Sequence, residues 1–312
     1  MDQQIVCRVL TGPTASGKTD IGIQLAREHG WAILCMDSMQ IYRRMNIGTA
    51  KPALSEMQGV PHYMLDICEP TDSYSVSAYR DTAEQLVADL YEKEHREVLF
   101  VGGTTLYLQS LMHPMGMGYA GADEQLRNEL RQIAATDEGK NILHERLSKV
   151  DPDTASRLPV NDVRRVIRAI EVYETTGIPF SRQPARQAEG SGRFRWRVVS
   201  TAMDRQLLYE RINRRVTDMM TRGLQAEVAS LLNEGVPEDA QSMSGLGYKE
   251  MIPVIRGECS PEEAAERIRI GTRHYAKRQM TFLRKEEAIQ YVRTDRDGAV
   301  DAIRKILTQE DG

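Results

Sequence analysis

Gly12-Pro13-Thr14-Ala15-Ser16-Gly17-Lys18-Thr19 is the stretch that decides the fold. Its spacing is G-x-x-x-x-G-K-[ST], the pattern of a phosphate-binding loop. The apolar run Ile5 to Leu10 precedes it, and a helical pattern from Lys18 to His29 follows, with Gly30 as a stop. That strand–loop–helix context is what gives the pattern its meaning, since the glycines free backbone N–H groups to face a polyanion and the helix N-terminus adds its positive end. Lys18 is then placed to reach a terminal phosphate, and the Thr19 hydroxyl to hold Mg2+.

Working outward, Ala32 to Met36 reads as a second buried strand and Tyr79 to Lys93 as a helix. Val98 to Val101 is the most strand-like run and ends at Gly102-Gly103. Strands alternating with helices predict an α/β fold, a P-loop NTPase-like parallel sheet wrapped by helices. From Asp123 to about Thr176 the pattern is helical throughout. One helix there is punctuated by Asn161-Asp162 as N-cap, by Val163, Val166, Ile167 and Ile170 as its apolar face, and by Gly177 and Pro179 as its stop. Arg193 to Thr201 is strand-like again; beyond it the chain reads as mainly helical, with a capping box at Ser260-Pro261-Glu262-Glu263. The expected organisation is an α/β core in residues 1–114, an all-helical insertion in 115–195, and a mainly helical return to the core in 196–312.

Composition narrows the function classes. With 312 residues the chain can bury a substantial core, and 41 Lys and Arg against 45 Asp and Glu give a net charge of -4. That balance excludes wholesale polycation binding, so any nucleic-acid site must come from local clusters. The four cysteines form no C-x-x-C pair and read as reduced thiols, and no run approaches the roughly 20 apolar residues of a membrane span. A soluble, cytoplasmic, monomeric protein is expected. The six histidines form no triad or metal pattern; His62 and His274 are given structural or surface roles.

An ordinary P-loop NTPase carries an apolar strand ending in Asp, which positions Mg2+. Here the best strand ends in Gly102-Gly103-Thr104, whereas the second strand ends in Asp37-Ser38-Met39-Gln40. An acid at the carboxyl end of a parallel strand, beside a P-loop, lies where such sheets bind ligands. Basic residues also cluster: Arg164, Arg165 and Arg168 on one helix, Arg211, Arg215 and Arg222 on another, Arg269, Arg273 and Lys277 near the end. Arg193-Phe194-Arg195-Trp196-Arg197 interleaves arginines with aromatics, a composition suited to phosphate contacts and base stacking. These features leave three classes open: a group transferase acting on RNA, a P-loop kinase of a small metabolite, and an RNA-binding ATPase module.

The segments together resemble the bacterial tRNA dimethylallyltransferase (tRNA isopentenyltransferase) family. The resemblance rests on GPTASGKT (12–19), DSMQIYRRMNIGTAKP (37–52), PHYMLDI (61–67), YSVSAYR (74–80) and VGGTTLY (101–107). It continues through NDVRRVIRAIEV, GLGYKE (245–250) and the TRHYAKRQMTFLR segment near residues 272–284. Departures are small: Tyr63 where a second His is common, Thr105 where Gly is common, Phe282 where Trp is common.

The resemblance implies transfer of a dimethylallyl group from dimethylallyl diphosphate to N6 of adenosine 37 of tRNA, 3′-adjacent to the anticodon, with release of diphosphate. It implies that the P-loop holds the diphosphate of the prenyl donor with Mg2+ at Thr19. Asp37 would accept the amine proton, Thr104 would line the channel, and Arg211 or Arg215 would reach the diphosphate. It further implies tRNA contacts at Asp37, Ser38, Met39, Gln40, Thr104 and Arg127, and along Arg164, Arg165, Val166, Ile167 and Arg168, with the helical insertion clamping the anticodon stem-loop.

Overall fold

β1 (Ile5–Thr11) is buried along nearly its whole length, as expected of a strand covered by helices on both faces. Cys7 and Val9 join one apolar core while Leu10 joins another on the opposite face. The computed structural model describes residues 4–113, 123–183 and 192–309. These group into two compact units, Met1–Met112 with Gly192–Gly312, and His113–Ser191.

In the first unit, six parallel strands run in the order β3-β2-β4-β1-β5-β6. Besides β1 they are β2 (Ala32–Cys35), β3 (His62–Tyr63), β4 (Val98–Val101), β5 (Phe194–Ala202) and β6 (Ile289–Arg293). One face is covered by α1 (Lys18–His29) and α12 (Ala299–Thr308), through Ile23, Leu25, Ile303 and Leu307. The other is covered by α2 (Val76–Glu94) and α3 (Thr105–Met112), through Tyr79, Val87, Tyr107 and Leu111. Period-two alternation along β4 divides its side chains between these cores, Val98 and Phe100 to one, Leu99 and Val101 to the other.

A third core is helical. In it α8 (Arg205–Thr221), α9 (Leu224–Asn233), α10 (Tyr248–Ile255) and α11 (Pro261–Leu283) close over Ile41, Tyr42 and Met45 from the loop after β2. The capping box on α11 is present, with the Ser260 hydroxyl accepting from Glu263 N and the Glu263 carboxylate accepting from Ser260 N. No described helix is long and apolar enough to cross a membrane.

The second unit holds α4 (Glu124–Ile133), α5 (Asp137–Val150), the short α6 (Pro152–Ala155) and α7 (Val163–Thr176) around Leu130, Leu143, Leu147, Val166 and Ile170. Residues 115–122 and 184–191 of the expected insertion lie outside the described residues.

Four sequence expectations need correction. The boundary at 195 would cut β5, which starts at Phe194. The two edge strands β3 and β6 were not anticipated; one is only two residues long, and the other has just two buried side chains, Ile289 and Val292. Asp162 occupies the N-cap of α7 but makes no side-chain capping bond, because its carboxylate takes Arg165 Nη1 at 3.0 Å instead. Phe194 and Trp196 are not free to stack on bases, since both pack against the sheet core and Trp196 leans on Phe100. Register places them beside Ile5 and Cys7, at the opposite strand ends from the P-loop.

Candidate active site

The carboxyl ends of β1, β2 and β4 converge on one open cleft. Thr14, Lys18 and Thr19 line it from the P-loop, Asp37 and Gln40 from the loop after β2, Gly102 and Gly103 from the end of β4. Arg215 of α8 and Tyr275 and Gln279 of α11 complete the polar part; Ile23, Ile33, Leu65 and Val101 give it an apolar wall.

The P-loop is held from within. The Ser16 hydroxyl, 2.7 Å from the Pro13 carbonyl, also meets Thr201 Oγ1 at 2.6 Å. Gly12 has φ +140°, and a Cβ there would fall 2.0 Å from the Thr201 hydroxyl oxygen. Only glycine lets the loop leave β1 so close to β5. Ala15 packs beside Leu208 and Ile212 of α8.

Lys18 donates to the Pro13 carbonyl at 3.1 Å and is enclosed by protein except toward the cleft. Burial, reinforced by the charge of Arg215 and opposed by Asp37, lowers its pKa to about 8. Arg215 is itself lowered by burial, with Asp37 acting the other way, and its Nη2 donates to the Thr49 carbonyl at 3.2 Å. Arg211, one turn earlier on α8, brings its Nη1 to 3.5 Å from where a Gly17 Cβ would stand. Both arginines therefore border the phosphate loop, Arg215 from the cleft wall and Arg211 from beside Gly17. Arg222 ends α8 as an exposed residue.

Across the cleft, Asp37 Oδ1 accepts from Met39 N at 2.9 Å, fixing the carboxylate against its own turn. Thr104 Oγ1 accepts from Ser38 N at 2.9 Å, and Thr104 N donates to the Met36 carbonyl at 3.1 Å. The Gly-Gly-Thr turn and the Asp37 turn are thus stitched together. Two neighbours of Asp37 face inward. Met39 packs against the helical core, and Gln40 spends its amide on the Thr49 and Ala50 carbonyls while accepting from the Cys35 thiol.

Three cleft residues escaped the sequence reading. His62 lines the cleft, with Nδ1 2.8 Å from the Val60 carbonyl and a pKa lowered by burial. Gln279 is 2% exposed, accepts from Thr14 N at 2.9 Å and donates to the Gly103 carbonyl at 2.7 Å. Tyr275 lines the cleft one turn before Gln279, and burial pushes its phenol pKa up. The four-residue spacing of Tyr275 and Gln279 was a usable signal, overshadowed by the basic stripe on the same helix.

Considered by itself, the second unit sorts the residues expected there. Val166 and Ile167 are core, 1% and 6% exposed, so their side chains are not available to a ligand. Arg127 and Arg168 both pair with the fully buried Glu171, at 2.9 and 2.7 Å, and these charges with the Asp123 N–H outweigh burial to lower its pKa. Arg165 is held by Asp162. Arg164 is exposed and has no ion pair among the described residues.

A parallel α/β sheet with a phosphate loop after β1 and a carboxylate after β2, two strands away, defines an enzyme that handles a phosphorylated substrate. Comparison with known proteins narrows this class. Residues 40–286 match the family model described as IPP transferase. A tRNA dimethylallyltransferase of Pelotomaculum thermopropionicum is 43% identical over 295 residues, covering 95% of this chain and 93% of that one. Among solved structures, the tRNA isopentenylpyrophosphate transferase of Bacillus halodurans superposes with a TM-score of 0.71 at 36% identity, covering 98% of this chain and 96% of that one. A eukaryotic dimethylallyltransferase acting on tRNA gives a TM-score of 0.77 at 25% identity, covering 97% of this chain and 78% of that one. The chain belongs to the IPP transferase family.

Proposed function

We propose that this chain transfers a dimethylallyl group from dimethylallyl diphosphate to N6 of adenosine 37 of tRNA, releasing diphosphate, in the cytoplasm. The observation that carries the reading is the pairing of a phosphate cradle with Asp37 in one cleft, where β4 ends in Gly102-Gly103-Thr104 and supplies no acid. A phosphate loop without that strand-end carboxylate suits a diphosphate leaving group better than nucleotide hydrolysis. The family relationship points to the same chemistry.

In this reading the P-loop N–H groups, Lys18 and Arg215, with Arg211 beside Gly17, hold the diphosphate and offset the charge that grows as its bond to the allylic carbon breaks. The N6 lone pair forms the new C–N bond as the C–O bond breaks, and the diphosphate leaves with that electron pair. Asp37 takes the N6 proton. Thr104, fixed by Ser38 N, lines the passage between donor and base. Thr19 fits Mg2+: its side chain lines the cleft, and among the described residues no cluster of His, Cys, Asp or Glu forms a separate cage. Mg2+ characteristically keeps several waters and takes substrate phosphate oxygens, needing few protein ligands. Bound there it would add Lewis-acid stabilisation of the leaving group.

The target base lies in a single-stranded loop, so it can be splayed into the cleft at modest unstacking cost. Arg127, Arg164, Arg165 and Arg168 of the helical unit supply the polyanion contacts. The test is incubation with unmodified tRNA, Mg2+ and dimethylallyl diphosphate, then digestion and mass analysis of the nucleosides. A dimethylallyl adduct on adenosine 37 is expected; ATP consumption without adduct would overturn the reading.

A further inference from the structure

The loop after β2 enters the helical core at Ile41, Tyr42 and Met45, then turns tightly over residues 46–50. Ala50 N donates to the Ile47 carbonyl and Lys51 N to the Asn46 carbonyl, both at 3.0 Å. Successive backbone N–H groups in a turn can form a concavity that takes an anion. Here the chain supplies the anion itself. Glu227, in the first turn of α9, accepts on Oε2 from Asn46 N at 2.9 Å and Ile47 N at 2.8 Å. Its Oε1 accepts from Gly48 N at 3.1 Å and from the Tyr248 hydroxyl at 2.6 Å. Tyr248 is buried and lies against Gly48, where a Cβ would fall 2.4 Å from its ring. Four donors thus hold one carboxylate against one turn.

What the turn presents in the other direction is a carbonyl. The Thr49 carbonyl accepts from Arg215 Nη2 at 3.2 Å and from Gln40 Nε2 at 3.1 Å. Among the described residues it is the one hydrogen-bond partner of the Arg215 guanidinium. The guanidinium is a planar fork on a flexible stem, so a single fixed acceptor decides where it points. The next residue, Ala50, sits at φ +46°, a left-handed conformation that a non-glycine residue keeps only where its surroundings impose it. Glu227 and Arg215 are therefore joined through rigid backbone rather than by contact.

We propose that Glu227 is a positioning residue: it fixes the 46–50 turn, so that the Thr49 carbonyl aims Arg215 at the diphosphate of the prenyl donor. The proposal rests on the transferase reading and on the place of Arg215 in the diphosphate cradle. Glu227 need not touch the substrate for this.

Glu227→Gln keeps the size and one acceptor oxygen, but its NH2 would meet backbone N–H groups instead of accepting from them. Amide exchange at residues 46–48 should quicken about tenfold. Inorganic diphosphate with Mg2+ is the binding probe, read by calorimetry, because it isolates the cradle from turnover. Its Kd should weaken about tenfold, the order expected when one charge-assisted hydrogen bond is lost, and tRNA Kd should stay within about twofold of wild type. The decisive readout is a double-mutant cycle. Arg215→Ala should itself weaken diphosphate binding, and in that background Glu227→Gln should add less than about twofold. A merely structural role would give the same loss in both backgrounds. Tyr248→Phe removes one of the four donors and keeps the ring, so it serves if Glu227→Gln folds poorly. It should weaken diphosphate binding about two- to fivefold, with the same dependence on Arg215. Unchanged exchange at 46–48, wild-type diphosphate affinity in either folded variant or in Arg215→Ala, or additive losses in the cycle would overturn the proposal. Absence of transfer by the wild-type enzyme would overturn the transferase reading instead, while the diphosphate cycle would still decide whether Glu227 acts through Arg215.

Discussion

Lys18 and Arg215 place two positive charges in the same cleft, and Arg215 is the second cause, after burial, that lowers the Lys18 pKa to about 8. Two such charges crowd each other until an anion arrives. The arrangement stores unfavourable electrostatics in the free enzyme that a diphosphate relieves.

This makes donor binding pH-dependent with a definite sign. Below about pH 8 Lys18 is already protonated, so binding should be flat with respect to its titration. Above it the free enzyme has lost the proton, the diphosphate restores it, and binding takes up protons. Affinity should then weaken by about tenfold per pH unit. Calorimetry in buffers of different ionisation heat measures the uptake directly. Lys18→Ala should abolish transfer, remove the uptake and leave tRNA affinity close to wild type. Persistent proton uptake in that variant would assign the titration to another group.

Asp37→Asn retains the oxygen that accepts from Met39 N and removes the proton acceptor. The single-turnover rate should fall by about 10²–10⁴ with little change in donor affinity. Rates within about twofold of wild type would take Asp37 out of the base role.

What the sequence made legible, and what it did not, follows from the range of the interactions. The phosphate loop was readable because its constraints are local: φ at Gly12, an N–H-rich turn and a helix start. Asp37 was readable because a strand end and the residue after it are adjacent in the chain. The helical phase put Arg211 and Arg215 on one face, yet only the structure shows Arg215 on the cleft wall and Arg211 beside Gly17. Val166 and Ile167 lie within an arginine-rich segment, but helical periodicity makes them core, as their burial bears out. The spacing of Tyr275 and Gln279 put both on one helix face, but the partners of Gln279 were beyond local reading, since Thr14 and Gly103 lie 265 and 176 residues away. The Arg193–Arg197 segment misled because its composition fits a stacking surface while its place in the sheet commits both aromatics to the core.

Gly12→Ala should destabilise the loop itself. It forces a non-glycine residue to φ +140° and puts a methyl group 2.0 Å from the Thr201 hydroxyl and 2.9 Å from the Thr201 carbonyl. Backbone strain of this kind costs about 1–3 kcal/mol before the clash is counted. Thermal unfolding should show a lowered Tm together with lost donor binding. A variant with wild-type stability would mean that β5 can shift away from the loop.

The arginines of the helical unit differ in what holds them, and that difference orders their expected effects on tRNA. Arg127 and Arg168 lean on Glu171, and Arg165 on Asp162, whereas exposed Arg164 has no ion pair among the described residues. An unpaired guanidinium can meet a phosphate without first giving up a carboxylate. Arg164→Ala should therefore weaken tRNA binding more than Arg165→Ala does. It should also flatten the log–log salt dependence by about 0.7–0.9, the slope that one neutralised phosphate adds. Donor affinity should be unchanged, since the diphosphate cradle is built from Gly12 to Thr19. Stability should hold too, because the apolar core of this unit runs through Val166 and Ile170 rather than Arg164. A salt titration of tRNA binding, run beside donor calorimetry, separates the outcomes. If Arg164→Ala leaves the salt slope intact but costs donor affinity, the helical unit serves the small molecule and the assignment of its arginines to RNA fails.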